Sequence, residues 1–100
     1  MVIVQGVFQL DPADRDAFLA ESADNMRISR GERGCLEYVI AADPLDPGRA
    51  ILSERWESME DLNEHLSALT QRAREAGAPA GVRPVSREIA LYEATLFRQM

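Results

Sequence analysis

The sequence predicts an α+β fold in which four antiparallel strands form one sheet and two helices pack on one of its faces. Runs rich in β-branched residues alternate with stretches whose apolar residues recur at helical spacing, in the order βαββαβ. A chain of 100 residues is also too short for two independent cores. We therefore expect residues 1–100 to form a single domain, a split βαβ sandwich.

The first strand and the first helix are separated by a helix-start signal. Residues 2–10 are rich in β-branched side chains, which is typical of a mostly buried strand. Asp11 can cap the next helix, and Pro12 suits its first position. The helix is predicted over 12–30, because Gly31 and Gly34 follow and end it. Its apolar face is predicted to comprise Phe18, Leu19, Ala20, Ala23 and Met26.

The middle of the chain predicts a pair of adjacent strands. Residues 35–42 have strand composition, and a cluster of turn-forming residues follows over 43–48. Because this connection is short, residues 50–57 are the natural antiparallel partner of the preceding strand.

The second helix and the last strand complete the predicted fold. Ser58 begins the helix, with Asp61 three residues on as in a capping box, and the helix ends near Gly77. Its apolar stripe is predicted to be Leu62, Leu66, Leu69 and Ala73. Residues 78–81 are predicted to be a linker, and the last strand is predicted over 82–96. Since a lone four-stranded sheet with apolar residues on both faces would expose a large patch, we expect a homodimer in which a second sheet covers the free face.

Composition excludes several classes of function. Seventeen acidic residues against eleven arginines give a net charge of -6, which disfavours nucleic acid as a partner. The chain has no lysine, which excludes Schiff-base chemistry. It has one cysteine, Cys35, and one histidine, His65, and these are too few ligands for a zinc site within one chain. No apolar run approaches the roughly 20 residues that cross a bilayer. We therefore expect a cytoplasmic protein that binds no membrane and no metal.

The chain's one histidine and one tryptophan are the first candidates for a site. His65 lies about 60° to one side of the centre of the predicted stripe, taking roughly 100° per residue. It would then border a cavity between helix and sheet, either as a half-exposed helix residue or as a base. Trp56 is either core or a wall that stacks on an aromatic ligand. From a position at the helix edge, we expect His65→Ala to leave folding nearly intact.

Two segments resemble the antibiotic biosynthesis monooxygenase family. Residues 32–38, Glu-Arg-Gly-Cys-Leu-Glu-Tyr, resemble the E-x-G-C-x-x-Y stretch that opens the second strand of that family. Residues 54–58, Glu-Arg-Trp-Glu-Ser, followed by Leu62 and His65, resemble its E-x-W-E-S-x-x-x-L-x-x-H stretch. The order of elements agrees over essentially the whole chain, and the nearest branch is the small quinol monooxygenases. The resemblance implies a ferredoxin-like dimeric α+β barrel.

The resemblance also implies an activity and a set of site residues. Members oxidise small electron-rich aromatics, hydroquinones or phenols, with O₂ and without flavin, haem or metal, so no cofactor is expected. His65 would be a base or proton relay, Trp56 a cavity wall, and Tyr38 a hydrogen-bond partner of the substrate oxygen. The residues expected to contact substrate are Asn25, Arg87, Leu52 and Leu66.

Two other functions stay open. The first is a dimeric ligand-binding or stress-response module without turnover. The second is haem degradation, although the first strand here offers Gln5 and Gly6 where the haem-degrading branch uses an asparagine. An enzyme requires a closed, largely apolar pocket next to Trp56, His65 and Tyr38, whereas a binding module can fill that space with side chains.

Overall fold

The computed structural model describes residues 1–77 and 81–100, so most of the predicted linker lies outside the described residues. In this part of the chain four strands form one sheet and two α-helices accompany it. The strands are β1 (Val2–Gln9), β2 (Cys35–Ala42), β3 (Arg49–Trp56) and β4 (Ser86–Glu93). The helices are α1 (Arg15–Arg30), preceded by a short 3₁₀ turn at Pro12–Asp14, and α2 (Met59–Ala76). The predicted order βαββαβ is confirmed.

The sheet has the strand order β2-β3-β1-β4, and every neighbouring pair is antiparallel. Because side chains alternate between faces, every second residue of β1, β3 and β4 points towards the helices. In β2 the register shifts between Cys35 and Glu37, so Tyr38, three residues after Cys35, follows it on this face. These residues form four rows across the sheet. The rows are Cys35–Trp56–Val2–Glu93, Tyr38–Glu54–Val4–Leu91, Ile40–Leu52–Gly6–Ile89 and Ala42–Ala50–Phe8–Arg87. The predicted ferredoxin-like sheet is confirmed.

The core lies at the end of the sheet where β3 leads into α2. Its buried members are Val2, Val4, Tyr38, Leu52, Trp56 and Leu62. Trp56 is completely buried, and Leu62 is almost so. The core therefore extends from the row of Trp56 to that of Leu52, and Phe8 packs against it from the next row.

The buried face of α1 differs in part from its predicted apolar face. Its fully buried residues are Ser22 and Ser29, whereas Ala20 is exposed. The Ser22 hydroxyl donates to the Phe18 carbonyl oxygen one turn earlier, at 2.8 Å. Ser22 is buried at low cost because its hydroxyl is bonded within its own helix, and apolar periodicity alone does not detect such a residue.

The stripe predicted for α2 is rotated from the observed one. Leu62 and His65 are buried, but Leu66 is 44% exposed and Ala73 is exposed. The buried side is centred near His65, about 60° from the predicted centre at roughly 100° per residue. His65 can take this position because a carboxylate lies within hydrogen-bond distance of its ring. The cap is confirmed, since the Ser58 hydroxyl accepts from the Asp61 amide at 3.1 Å.

The last strand is shorter than predicted. Residues 81–85 precede β4 without strand pairing, and the Val82 amide donates to the Glu21 carboxylate of α1 at 3.1 Å. The Val85 amide donates to the Gln9 carbonyl oxygen at 2.7 Å, so this segment is fastened to both α1 and β1. It forms one edge of the space between helix and sheet.

The face of the sheet opposite the helices carries apolar side chains. They include Ile3, Val7, Val39, Ile51 and Tyr92, by the alternation of the registers. The homodimer expected to cover this face stays a prediction. Among the described residues, neither helix combines the length and apolar character that a membrane span requires.

Candidate functional site

A cleft of about 610 Å³ opens between α1, the helix-facing side of the sheet and the segment that leads into β4. This volume is in the range of small-molecule sites. Its lining residues are Phe8, Phe18, Ser22, Asn25, Tyr38, Ile40, Leu69, Arg83, Pro84, Val85, Ser86 and Arg87. The cleft is thus mostly apolar with a few polar groups.

The periodicity of α1 and the pairing of β1 position these groups. Phe18, Ser22 and Asn25 recur at i, i+4 and i+7, so they lie on one face of α1 above the sheet. The rings of Phe8 and Phe18 meet with their centroids 5.1 Å apart. Arg87 is the direct cross-strand partner of Phe8, which places it beside that ring on the same face. One end of the cleft therefore combines aromatic rings with a cation.

Three of the seven site residues expected from the sequence come together in this cleft. They are Tyr38, Asn25 and Arg87. The other four lie elsewhere: His65, Trp56 and Leu52 are in the core, and Leu66 is on the exposed side of α2. Leu66 faces outwards because the whole helix is rotated about its axis relative to the predicted stripe.

His65 is buried in the interior and not at the mouth of a cavity. It is 2% exposed, and its ring lies between Trp56, at 4.7 Å between ring centroids, and Tyr38, at 5.4 Å. Its Nδ1 is 2.6 Å from Oε1 of Glu32, and its Nε2 is 4.0 Å from Oε1 of Glu54. The expectation of a half-exposed histidine is wrong, since the ring is bonded to Glu32 and packed between Trp56 and Tyr38.

Glu54 is the polar residue that sequence reasoning left unassigned. It is 5% exposed and accepts a hydrogen bond from Nε1 of Trp56 at 2.9 Å. Burial raises the pKa of its carboxyl, while the hydrogen bond from Trp56 and the charge of His65 act in the opposite direction. The signal was present in the sequence, because a residue two positions before Trp56 in a strand shares its face.

Tyr38 connects the buried histidine with the cleft. It is 6% exposed and lines the cleft while its ring contacts His65. Burial, with a contribution from the negative charge of Glu54, raises the pKa of Tyr38 to about 12. The phenol is therefore protonated at neutral pH, which makes it a hydrogen-bond donor.

The two segments that carried the family resemblance form one structural unit. Cys35 and Trp56 are cross-strand partners, and the Glu57 amide donates to the Gly34 carbonyl oxygen at 2.8 Å. We call the side chains that meet here the buried cluster. Its members are Glu32, Tyr38, Glu54, Trp56 and His65.

The family model of the antibiotic biosynthesis monooxygenases matches residues 1–76. The chain belongs to this family. The match spans both segments of the buried cluster, and the family resemblance is confirmed. No curated protein matches the chain at a significant level.

Solved structures share the fold of this antibiotic biosynthesis monooxygenase family member over nearly its whole length. A Deinococcus radiodurans protein named for the same family superposes with a TM-score of 0.81, 23% identity and coverage of 100% of this chain and 98% of the other. Rv0793 from Mycobacterium tuberculosis superposes with a TM-score of 0.72 and 26% identity, and the match covers 98% of both chains. The haem degrader MhuD from Mycobacterium tuberculosis was solved with two haems in its active site. It superposes with a TM-score of 0.75 and 14% identity, and the match covers 99% of this chain and 100% of MhuD.

The described residues hold no group of three or more His, Cys, Asp or Glu side chains arranged for a metal ion. The polar residues that line the cleft are instead a tyrosine, an asparagine, two serines and two arginines. Such groups bind and orient an organic molecule by hydrogen bonds and charge.

Proposed function

We propose that this protein is a cofactor-independent monooxygenase that oxidises a small electron-rich aromatic, a hydroquinone or phenol, with O₂. The observation that carries the proposal is the placement of Tyr38 in a cleft with aromatic and apolar walls. The volume of the cleft suits a molecule of one to three rings. Family membership supports the same class of reaction.

The first chemical requirement is to ionise the substrate hydroxyl. A phenol with a pKa near 10 costs about 4 kcal/mol to ionise at neutral pH. A hydrogen bond donated by Tyr38 and a second from the Asn25 amide would offset part of this cost. The hydroxyl proton passes to solvent and the anion transfers one electron to O₂. The radical pair then combines into a peroxide anion at a ring carbon that carries hydrogen, and this anion takes a proton from solvent. Loss of water from the peroxide gives the quinone.

His65 and Trp56 have a supporting part in this proposal. Neither lines the cleft, and the His65 ring packs against Tyr38 from the side of the core. We propose that the buried cluster holds Tyr38 in a fixed orientation, so that its hydroxyl is preorganised for the substrate anion. His65 is thus a positioning residue.

The test is O₂ consumption by metal-stripped protein with a panel of hydroquinones and naphthols, corrected for spontaneous oxidation. We expect turnover in the wild type and a loss of about a hundredfold in Tyr38→Phe, which removes one hydrogen-bond donor and keeps the ring. Tyr92→Phe, at the exposed tyrosine of β4, is the matched control and should retain the rate. Absence of turnover with every panel member in folded protein would refute the proposal.

One observation favours a second function, ligand binding without turnover. The space beside Trp56 and His65, where an enzyme was expected to have its pocket, is filled by side chains of the core. In that case the same panel would bind in the cleft and no O₂ would be consumed. Calorimetric binding without oxygen uptake would identify this function.

A further inference from the structure

The charge of the cleft is opposite in sign to that of the whole protein. The chain has a net charge of -6. Of the residues that the structure describes, twelve line the cleft, and these include Arg83 and Arg87 but neither aspartate nor glutamate. A positively charged binding site favours a negatively charged ligand.

The two arginines are also available to a ligand. Most other arginines already bind oxygen atoms of the protein; Arg33, for example, pairs with Asp61, and Arg49 with Asp43. Within residues 1–77 and 81–100, no carboxylate lies within 4.0 Å of the guanidinium groups of Arg83 or Arg87. Their positive charge is therefore not neutralised within the chain.

The register of the sheet sets how far this charge lies from Tyr38. Arg87 is in the row of Phe8 on β4, and Tyr38 is two rows away on β2. Two rows correspond to ~13 Å along the strands, and three strand spacings to ~14 Å across them. The backbones of the two residues are thus ~19 Å apart. A ligand that contacts both side chains would have its hydroxyl and its anionic group at opposite ends.

We infer that the substrate of this cleft is a fused-ring phenol with a carboxylate at the end opposite its hydroxyl, and that Arg83 and Arg87 bind the carboxylate. The hydroxyl would then lie towards Tyr38, and the ring would pack on Phe8 and Phe18. This inference rests on the proposed function for the identity of the reacting hydroxyl.

Anaerobic calorimetry tests the inference separately from turnover. The probes are a hydroxynaphthoate with its substituents at opposite ends of the ring system and the naphthol that lacks the carboxylate. We expect the hydroxynaphthoate to bind about tenfold more tightly or better, since a hydrogen-bonded ion pair has this magnitude. Arg83→Gln combined with Arg87→Gln should remove the advantage. Arg74→Gln, on the exposed side of α2, makes the same type of charge change outside the cleft and should retain it.

Equal affinity for the two probes, or an advantage that survives in the double variant, would overturn the inference. Failure of both probes to bind would also overturn it. Oxidation of naphthols without a preference for the carboxylate would overturn it while leaving the proposed function intact. A carboxylate preference without O₂ uptake would support it and refute the proposed function.

Discussion

The position of His65 changes what a substitution there should do. At the edge of a helix an alanine would be tolerated, but the ring is buried between Trp56 and Tyr38 and bonded to Glu32. Removing it leaves a cavity and takes away the ring nitrogen that is bonded to the Glu32 carboxylate, while Glu54 keeps its hydrogen bond from Trp56. Activity loss in such a variant would therefore not separate a chemical role from a structural one.

We expect His65→Ala to lower the free energy of unfolding by about 2 to 4 kcal/mol. Urea unfolding at neutral pH measures this change. Leu66→Ala, one residue along the same helix on its exposed side, is the control and should cost well under half as much. A variant as stable as the wild type would contradict the buried, bonded position of His65.

Glu54 predicts a pH dependence of stability. Burial raises the pKa of this carboxyl above its ordinary value of 4.5. The folded protein therefore holds the proton more tightly than the unfolded chain, and the stability from this group is lost as pH rises from about 4.5 through the folded pKa. Glutamine can still accept the hydrogen bond from Trp56 and carries no charge.

Glu54→Gln should consequently gain stability relative to the wild type as pH rises from acid to neutral. Urea unfolding at a series of pH values gives the difference. Glu75→Gln, at an exposed site on α2, is the control whose difference should not change in this way. A constant difference for Glu54→Gln would show that its carboxyl titrates alike in the folded and unfolded states.

At the level of the elements, the turn between α1 and β2 depends on one glycine. Gly34 has a φ of 79°, and a Cβ there would collide with the Asp61 carboxyl at the start of α2. The Asp61 carboxylate in turn accepts from Nε of Arg33 at 3.2 Å. The close approach fastens the turn to α2.

Gly34→Ala should destabilise the protein by about 2 kcal/mol or more, because it combines backbone strain with this collision. Thermal and urea unfolding measure the loss. Gly31→Ala, three residues earlier, is the matched control: its φ is -90°, and the nearest atom to an added Cβ is the Ile28 carbonyl oxygen at 3.5 Å. Comparable losses in the two variants would contradict the role of the Gly34 conformation.

The same elements show what can be predicted from this sequence and what cannot. The strand over 35–42 and the capped start of α2 follow from local composition, and both are confirmed. The rotation of α2 does not follow, because apolar periodicity treats His65 and Asp61 as exposed until their partners in distant segments are known. β4 begins only at Ser86, since the preceding segment bonds to α1 and β1 instead of continuing the strand. Tyr38, Asn25 and Arg87 could be selected by residue type, but the cleft that joins them depends on packing.

At the level of the whole molecule, the free face of the sheet predicts assembly. Apolar residues from all four strands lie on this face, among them Ile3, Val7, Val39, Ile51 and Tyr92. Burying them against a second sheet would remove a large apolar area from water. We propose that two chains pair through these faces.

Sedimentation equilibrium should therefore give twice the mass of one chain. Ile51→Asp places a charge in the middle of the face and should shift the protein towards the monomer. Leu45→Asp, in the exposed loop before β3, is the control and should leave the mass unchanged. A wild-type monomer at micromolar concentration would refute the proposed pairing.

The separation of the buried cluster from most of the cleft has a consequence for how such a protein can diversify. The cluster joins β2, β3 and α2, whereas most side chains that face a ligand come from α1 and the segment around Arg83 and Arg87. A substitution at Asn25 or Arg83 can change which molecule fits without weakening the interactions that hold the scaffold together. If the cleft binds the ligand as we propose, the choice of ligand can change independently of the family signature, and Tyr38 belongs to both sets of residues.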